Sequence, residues 1–423
     1  MGRSRIFSSA CAVIVVAACT QTVTAAEPEL TLAQAERLAI EQDPAANAML
    51  MRADALAYHG VADSQLPDPK LSLGLFNLPL DNFDLNDNPT TQLRAGVRQT
   101  FPRGDTLTLK RTLADAEATA IRASADNYLR SVTREVRETW FEIFYHSAAG
   151  QIIAQSRNLF EQLVDITESH YGGGRVTQQD VLQAQIELIR LDDRATQTLA
   201  TEEQHRAQLA KWIGEAAHRP LSQTLPTLSP LPSRADLETS LEQHPLIIAD
   251  SARIQGANDA INIARAQYKP EWSLGMEYRK RFGDNPDGSD RADMMAIMAT
   301  VDLPLFTEKR QDQRVLASLR QADAAALTRD DSVRQLRATL EQEYSSVTRL
   351  SERQSLYQSG LLPNTVANAD AALSAYQSGL SEFTAVMRAR ITAFNVRLES
   401  LRIEVDRAQS HARLLYLATG EDS

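Results

Sequence analysis

The chain has 423 residues, of which 43% are hydrophobic, 6% aromatic and 23% charged, and its formal net charge is −11. This composition excludes a disordered chain, and the acidic balance argues against nucleic-acid binding, which needs a basic surface. The only cysteines are Cys11 and Cys19, so the body of the protein holds no disulfide framework. No run of about 18 apolar residues follows residue 26, which excludes a transmembrane helix there.

The N-terminus has the layout of a secretory signal. Arg3 and Arg5 precede an apolar stretch over 6–18, and a polar segment with small residues follows. Two cleavage sites stay open: one directly after Ala26, the other before Cys19, where the preceding residues resemble a lipobox and the cysteine would be lipidated. Either site predicts an exported protein.

A duplication organises the rest of the chain. Gln42-Asp43-Pro44 returns 201 residues later as Gln243-His244-Pro245, and Tyr171–Gly174 returns 205 residues later as Tyr376–Gly379. One register held across separate motifs indicates two copies of one unit. We therefore predict a signal segment over 1–26 (1–18 in a lipoprotein), a first repeat over 27–215, a Pro-rich linker over 216–234 and a second repeat over 235–423.

Within each repeat, two short segments alternate apolar with small or polar residues, which is the pattern of a strand with one apolar face. The segments between them are rich in Asp, Asn, Gly and Pro, as hairpin loops are. The four predicted strands are centred on 71–75, 93–97, 272–278 and 295–301.

The remaining segments predict long helices. Residues 105–171 and 308–376 each form one helix of about 67 residues, or ~100 Å, with apolar residues at spacings of three and four. Shorter helical stretches are predicted over 32–66, 177–213, 235–268 and 381–419. The combined length of two shorter helices roughly equals the length of one long helix, so two shorter helices stacked end to end could pack beside a long one.

Four amphipathic strands in an exported protein need a partner surface. Four strands cannot close around an interior, whereas three chains would supply twelve strands, and strands of about 9–12 residues suit an outer membrane. The alternative is a soluble hairpin cap on a helical bundle.

These features together resemble the TolC-like outer-membrane efflux proteins over essentially the whole mature chain. The resemblance is carried by the duplication, the hairpin positions, the helix lengths and a turn motif, in which Tyr171-x-x-Gly174 is followed by Asp180-Val181-Leu182. It implies a mainly α fold with a small β part, a homotrimer whose 12-stranded outer-membrane β-barrel (four strands per chain) continues into a long α-helical periplasmic barrel. The segment Phe101–Asp105 is similar to that of the heavy-metal (CzcC/CusC-like) branch, without deciding the substrate.

The resemblance also implies the function. The protein would be the exit duct of a tripartite efflux pump, in contact with outer-membrane lipid, a periplasmic adaptor (membrane fusion protein) and an inner-membrane transporter of the RND type. Metal ions and drugs are the expected substrates. The alternatives are a type I secretion duct and a periplasmic coiled-coil adaptor or scaffold without a pore. No cofactor, nucleic-acid partner or enzymatic activity is expected.

The functional residues implied by the resemblance lie at the two helix turns. For adaptor docking at the periplasmic tip they are Tyr171, Gly174, Val176, Tyr376, Gly379 and Leu380. Asp180 and Glu382 would place negative charge at the pore mouth. Ala385 and Arg388 depart from the family pattern, because some members carry acidic gate residues there.

No catalytic or metal-binding constellation is visible in the sequence. The seven histidines show no metal-ligand spacing such as H-E-x-x-H, so no metal site is predicted. Met294, Met295 and Met298 alternate along a strand and point to different faces, which favours packing over binding of a soft metal.

Overall fold

A computed structural model describes residues 29–41 and 43–418. The predicted signal segment and Cys19 lie outside these ranges. The structure has nine α-helices and four strands in the described residues. Their order is α1 Leu32–Glu41, α2 Pro44–Asp63, β1 Lys70–Phe76, β2 Gln92–Phe101, α3 Thr106–Gly172, α4 Gln178–Ile213, α5 Arg234–Ser240, α6 Pro245–Ala266, β3 Glu271–Arg281, β4 Met294–Asp302, α7 Gln311–Leu356, α8 Leu362–Gln377 and α9 Phe383–Leu417.

The first helical stretch of each half is broken near its start, which corrects the prediction of continuous helices over 32–66 and 235–268. New helices begin at Pro44 and Pro245, where proline is tolerated because the first amide of a helix has no intrahelical acceptor. The preceding residues supply the caps: the Asp43 carboxylate accepts from the amide of Ala46, and the His244 ring accepts from the amide of Leu246. The repeated X-Pro motif is therefore a helix start.

The longest helix, α3, has the predicted length of 67 residues. Its counterpart, predicted over 308–376, is interrupted. A π-helical turn over Tyr357–Leu361 separates α7 from α8, and Pro363 lies in the first turn of α8. Proline lacks the amide that would continue the α-helical ladder, which explains a wider turn just before it. No helix in the described ranges combines the length and the apolar character needed to cross a membrane.

The four strands form one antiparallel sheet in the order β1-β2-β3-β4. The central pairing joins the two halves of the chain, since Val97 of β2 lies opposite Met276 of β3, and Met276 lies opposite Ile297 of β4. The predicted strands are therefore confirmed and extended by one or more residues at each end. Among the described residues, β1 and β4 each pair along one edge only.

The register places apolar side chains on one face of this sheet across all four strands, and that face is exposed. Leu73 is 71% exposed and Ile297 70%. The opposite face is polar: Glu277 accepts from Arg279 at 2.6 Å and lies 3.8 Å from Arg94. Of the three methionines in β4, Met295 lies on the apolar face, and Met294 and Met298 lie on the polar face.

The main hydrophobic core lies among the helices, where α1, α3, α4 and α9 meet. Trp140 is its centre and is fully buried. Its ring stacks on Phe144 and meets Phe141 edge-on, both at a centroid distance of 5.8 Å. A second cluster packs beneath the two helix turns, and a third joins α5, α6, α7 and α9.

His244 makes the stability of this framework depend on pH. Its ring is fully buried, and its Nε2 lies 3.2 Å from the carbonyl oxygen of Tyr416. Burial lowers its pKa from 6.5 to about 4. Below pH 6.5 the unfolded chain therefore binds a proton at His244 more readily than the folded chain does. This contribution to stability is complete above that pH and is lost as pH falls toward 4.

We expect His244 to lower the free energy of unfolding by about 3 kcal/mol between pH 7 and pH 4. Denaturant unfolding of the wild type and of His244→Asn at both pH values measures this, because Asn also caps a helix and does not titrate. The variant should lose less stability than the wild type on acidification. An equal loss in both proteins would refute the assignment.

Candidate functional site

The two predicted turn motifs fold into the same backbone structure. The first joins α3 to α4 and the second joins α8 to α9. Gly174 has φ 70° and Gly379 has φ 73°, the left-handed conformation that glycine adopts without a Cβ penalty. The sequence expectation of glycine-terminated helices is met at both positions.

The hydrogen bonds around the two glycines also correspond. The amide of Gly174 donates to the carbonyl of Tyr171 at 2.9 Å, and the amide of Gly379 donates to that of Tyr376 at 3.0 Å. The next amide in each turn, of Arg175 or Leu380, reaches back five residues to an α-helical carbonyl at 2.9 Å. This 6→1 bond is typical of a Schellman cap, which ends a helix and turns the chain.

The starts of the following helices differ. Thr177 and Asp180 form a capping box: the Asp180 carboxylate accepts from the Thr177 amide at 3.0 Å and from its hydroxyl at 2.8 Å. Glu382 is the N-cap of α9, and its side chain makes no capping hydrogen bond. Asp180 is thus half-buried, and its carboxylate caps the start of α4, whereas Glu382 is exposed.

The two tyrosines of the motif occupy different environments. Tyr171 is 49% exposed, whereas Tyr376 is 7% exposed and its hydroxyl lies 3.1 Å from Nδ1 of His170. Burial and the nearby Asp180 charge raise the pKa of Tyr376. The neutral hydroxyl of Tyr376 therefore joins α8 to the end of α3 through its contact with His170. The sequence did not single out His170, although it directly precedes Tyr171.

Residues from both turns line one open cleft between the helix pairs. Val176 lies in its wall, half-buried against the second hydrophobic cluster. Leu380 stands at the end of its turn and is 83% exposed. Of the predicted residues, the structure brings together around this cleft Val176, Asp180, Tyr376, Gly379 and Glu382. Tyr171, Gly174 and Leu380 do not line it, and the large apolar side chain of Leu380 is left uncovered.

Gly379→Ala is expected to destabilise the second turn by about 1–2 kcal/mol, because alanine resists a positive φ. No atom lies within 4 Å of an added Cβ, so the cost is conformational. Hydrogen exchange of the amides in 374–380 should accelerate roughly 5–30-fold. Gly172→Ala is the matched control, since Gly172 is exposed, helical and equally unobstructed. Equal exchange in both variants would contradict the strain assigned to Gly379.

A cluster of three potential ligands lies away from the turns, and the spacing of the histidines in the sequence did not indicate it. Glu142, His146 and His205 each offer an atom, and these atoms lie within 4.8 Å of one another. Glu142 and His146 are one helical turn apart on α3, which was visible in the sequence. His205 comes from α4, so only the helix packing reveals the third member.

Comparison with known proteins identifies similar sequences and similar folds. Residues 237–421 match the family described as outer membrane efflux protein. The cobalt-zinc-cadmium resistance protein CzcC of Cupriavidus metallidurans is 23% identical over 301 residues, which are 70% of this chain and 68% of CzcC. The fold matches the solved structure of CusC with a TM-score of 0.80 at 16% identity, covering 93% of each chain. The outer membrane protein VceC of Vibrio cholerae matches with a TM-score of 0.77 at 18% identity, over 92% of this chain and 96% of VceC.

The match to the family of outer membrane efflux proteins lies in the second half of the chain. Members of this family are channels and not enzymes, and they lie in the outer membrane and extend into the periplasm. The mainly helical fold of this chain, with its small four-stranded sheet, is similar to the folds of CusC and VceC.

Proposed function

We propose that this chain is an outer-membrane efflux protein of the TolC-like family, and that three copies assemble into the exit duct of a tripartite pump. Their sheets would close into one 12-stranded barrel, and their helices would continue it as a tube through the periplasm. A periplasmic adaptor and an inner-membrane transporter of the RND type would deliver the substrate to its lower end.

The observation that carries this proposal is the exposed apolar face of the sheet together with its open edges. A large exposed apolar surface is costly in water and favourable in lipid. In lipid, however, every backbone polar group needs a partner, so the free edges of β1 and β4 must be covered. Pairing β1 of one copy with β4 of the next satisfies both requirements. The polar face, with Arg94, Glu277 and Arg279, would then line a water-filled interior.

The helix turns are the proposed docking site for the adaptor. Tyr171 and Leu380 are exposed there and offer apolar contacts, while Gly174 and Gly379 fix the shape of the turns. Three copies of Asp180 and Glu382 would surround the mouth with negative charge and favour cations. The Asp180 carboxylate accepts the hydrogen bonds of its capping box, whereas the Glu382 side chain makes no capping hydrogen bond and is more available to a passing cation.

We propose divalent heavy-metal ions as the substrate class. The likeness to the cobalt-zinc-cadmium resistance protein supports this proposal. Deletion of the gene should then increase sensitivity to zinc, cobalt or cadmium more than sensitivity to drugs or bile salts. The reverse pattern would favour a drug or a secreted protein as the cargo.

Assembly through the strand edges is tested by cross-linking. Leu73→Cys in β1 and Ile297→Cys in β4, combined in one chain, place thiols near the middle of the two open edges. A short bifunctional thiol reagent should produce dimers and trimers that stop at three chains. Each single-cysteine variant is the control and should yield less cross-linked product. If the double-cysteine protein remains monomeric after treatment with the reagent, edge-to-edge assembly is refuted.

A further inference from the structure

We propose that Glu142, His146 and His205 form a Zn²⁺ site, one per chain, between α3 and α4. Two imidazole nitrogens and one carboxylate oxygen are a ligand set that zinc accepts, with a fourth position left for water. Hard cations such as Ca²⁺ and Mg²⁺ prefer oxygen ligands and are disfavoured by the two imidazoles.

His205 is held in the tautomer that zinc binding requires. Its Nδ1 lies 3.1 Å from Oε1 of Gln208. An amide oxygen only accepts, so Nδ1 carries the proton and Nε2 keeps a free lone pair. A histidine ligand usually donates its second nitrogen to such an outer partner, which fixes the ring for the metal.

His146 presents a ring nitrogen that the described protein does not satisfy. Its Nδ1 is buried and has no hydrogen-bond partner among the described residues. The neutral imidazole is the form that binds a metal ion, through a ring nitrogen that carries no proton. The two histidine rings lie nearly parallel, with a centroid distance of 5.7 Å.

Glu142 is fixed and charged. Arg402 donates to both carboxylate oxygens, at 2.8 and 3.0 Å, and Gln409 donates to Oε1 at 2.8 Å. Burial opposes ionisation, but these hydrogen bonds lower the pKa of Glu142 overall. Among the described residues Oε2 accepts a hydrogen bond from Arg402 alone, so it keeps a lone pair for a cation. Arg402 is also bound to Asp406 at 2.6 Å, so two carboxylates face one guanidinium and negative charge remains.

The distances require a small closure when the ion binds. The ligand atoms lie within 4.8 Å of one another, whereas neighbouring ligands of tetrahedral zinc are about 3.3 Å apart. All three residues are half-buried, so an ion can enter from solvent. The equivalent positions of the second half, at the offset of the duplication, hold Ser346, Leu350 and Ser410. The ligand set therefore occurs only in the first half, which sets the expected stoichiometry.

Equilibrium dialysis of the purified, detergent-solubilised full chain against Zn²⁺, after removal of metal with a chelator, tests the site. We expect one Zn²⁺ per chain in the wild type, and binding at least tenfold weaker in His205→Gln and in His146→Gln. His59→Gln is the control, because His59 is exposed and far from the cluster in sequence and should leave binding unchanged.

Two results would overturn the site: no stoichiometric Zn²⁺ in the wild type, or undiminished binding in a folded His205→Gln protein. His205 is the decisive position if His146→Gln does not fold, because its ring lies nearer to solvent. Since the readout is metal binding by the isolated protein, its failure is distinguishable from failure of the duct, which conductance measures.

Discussion

Ile297→Arg is expected to abolish insertion of the folded protein into the outer membrane. Ile297 lies in the middle of β4 and is 70% exposed on the apolar face of the sheet. An arginine at the midplane of a lipid-facing strand costs about 2–4 kcal/mol, and a trimer would carry three. The heat-resistant trimer band in outer-membrane fractions should therefore disappear or fall steeply.

Ala296→Arg is the matched control, since residue 296 precedes Ile297 and points to the opposite face. It lies opposite Glu277, on the surface that already carries Arg94 and Arg279. We expect the folded trimer to persist at near wild-type levels. Equal loss in both variants, or loss in Ala296→Arg alone, would show that the apolar face does not meet lipid.

Trp140→Ala is expected to lower the free energy of unfolding by about 3–5 kcal/mol, the range for large aromatic truncations in a core. Trp140 is fully buried where four helices meet, and both of its aromatic neighbours would lose a face of contact. Denaturant unfolding of the helical signal should show the shift. The first helix, α1, packs on this core and should become more accessible to protease.

Trp140→Phe separates packing from polar effects. The indole Nε1 has no hydrogen-bond partner among the described residues, so the substitution removes no hydrogen bond and keeps an aromatic ring. The loss should therefore be clearly smaller than for alanine. A loss as large as that of Trp140→Ala would contradict the assignment of this stabilisation to the packing of an aromatic ring.

The strands and the long helices were predictable because their patterns repeat over many residues. Apolar residues alternate with polar or small residues at 71–75 and 295–301, and this pattern predicts strands. Residues 105–171 contain no proline and almost no glycine, which allows one long helix. The helix turns were predictable as well, since Gly174 and Gly379 follow helical stretches at equivalent places. The sequence therefore established the four strands, the six helical stretches and their order, but not the breaks within three of those stretches.

Local interruptions and contacts between distant residues were not predicted. The starts at Pro44 and Pro245 depend on a capping side chain just before each proline, a signal that was present but outweighed by the helical pattern around it. The π turn before Pro363 has no periodic signature. The different environments of Tyr171 and Tyr376, and the approach of His205 to His146, follow from helix packing, which a linear pattern does not contain.

Conductance across a planar lipid bilayer distinguishes a trimeric duct from a folded trimer without a pore. The purified trimer should produce discrete steps of ion current, with a preference for cations that decreases in Glu382→Gln. Ile297→Arg protein should produce none, whereas Ala296→Arg protein should conduct. Wild-type protein that inserts as a folded trimer and carries no current would contradict the proposed duct.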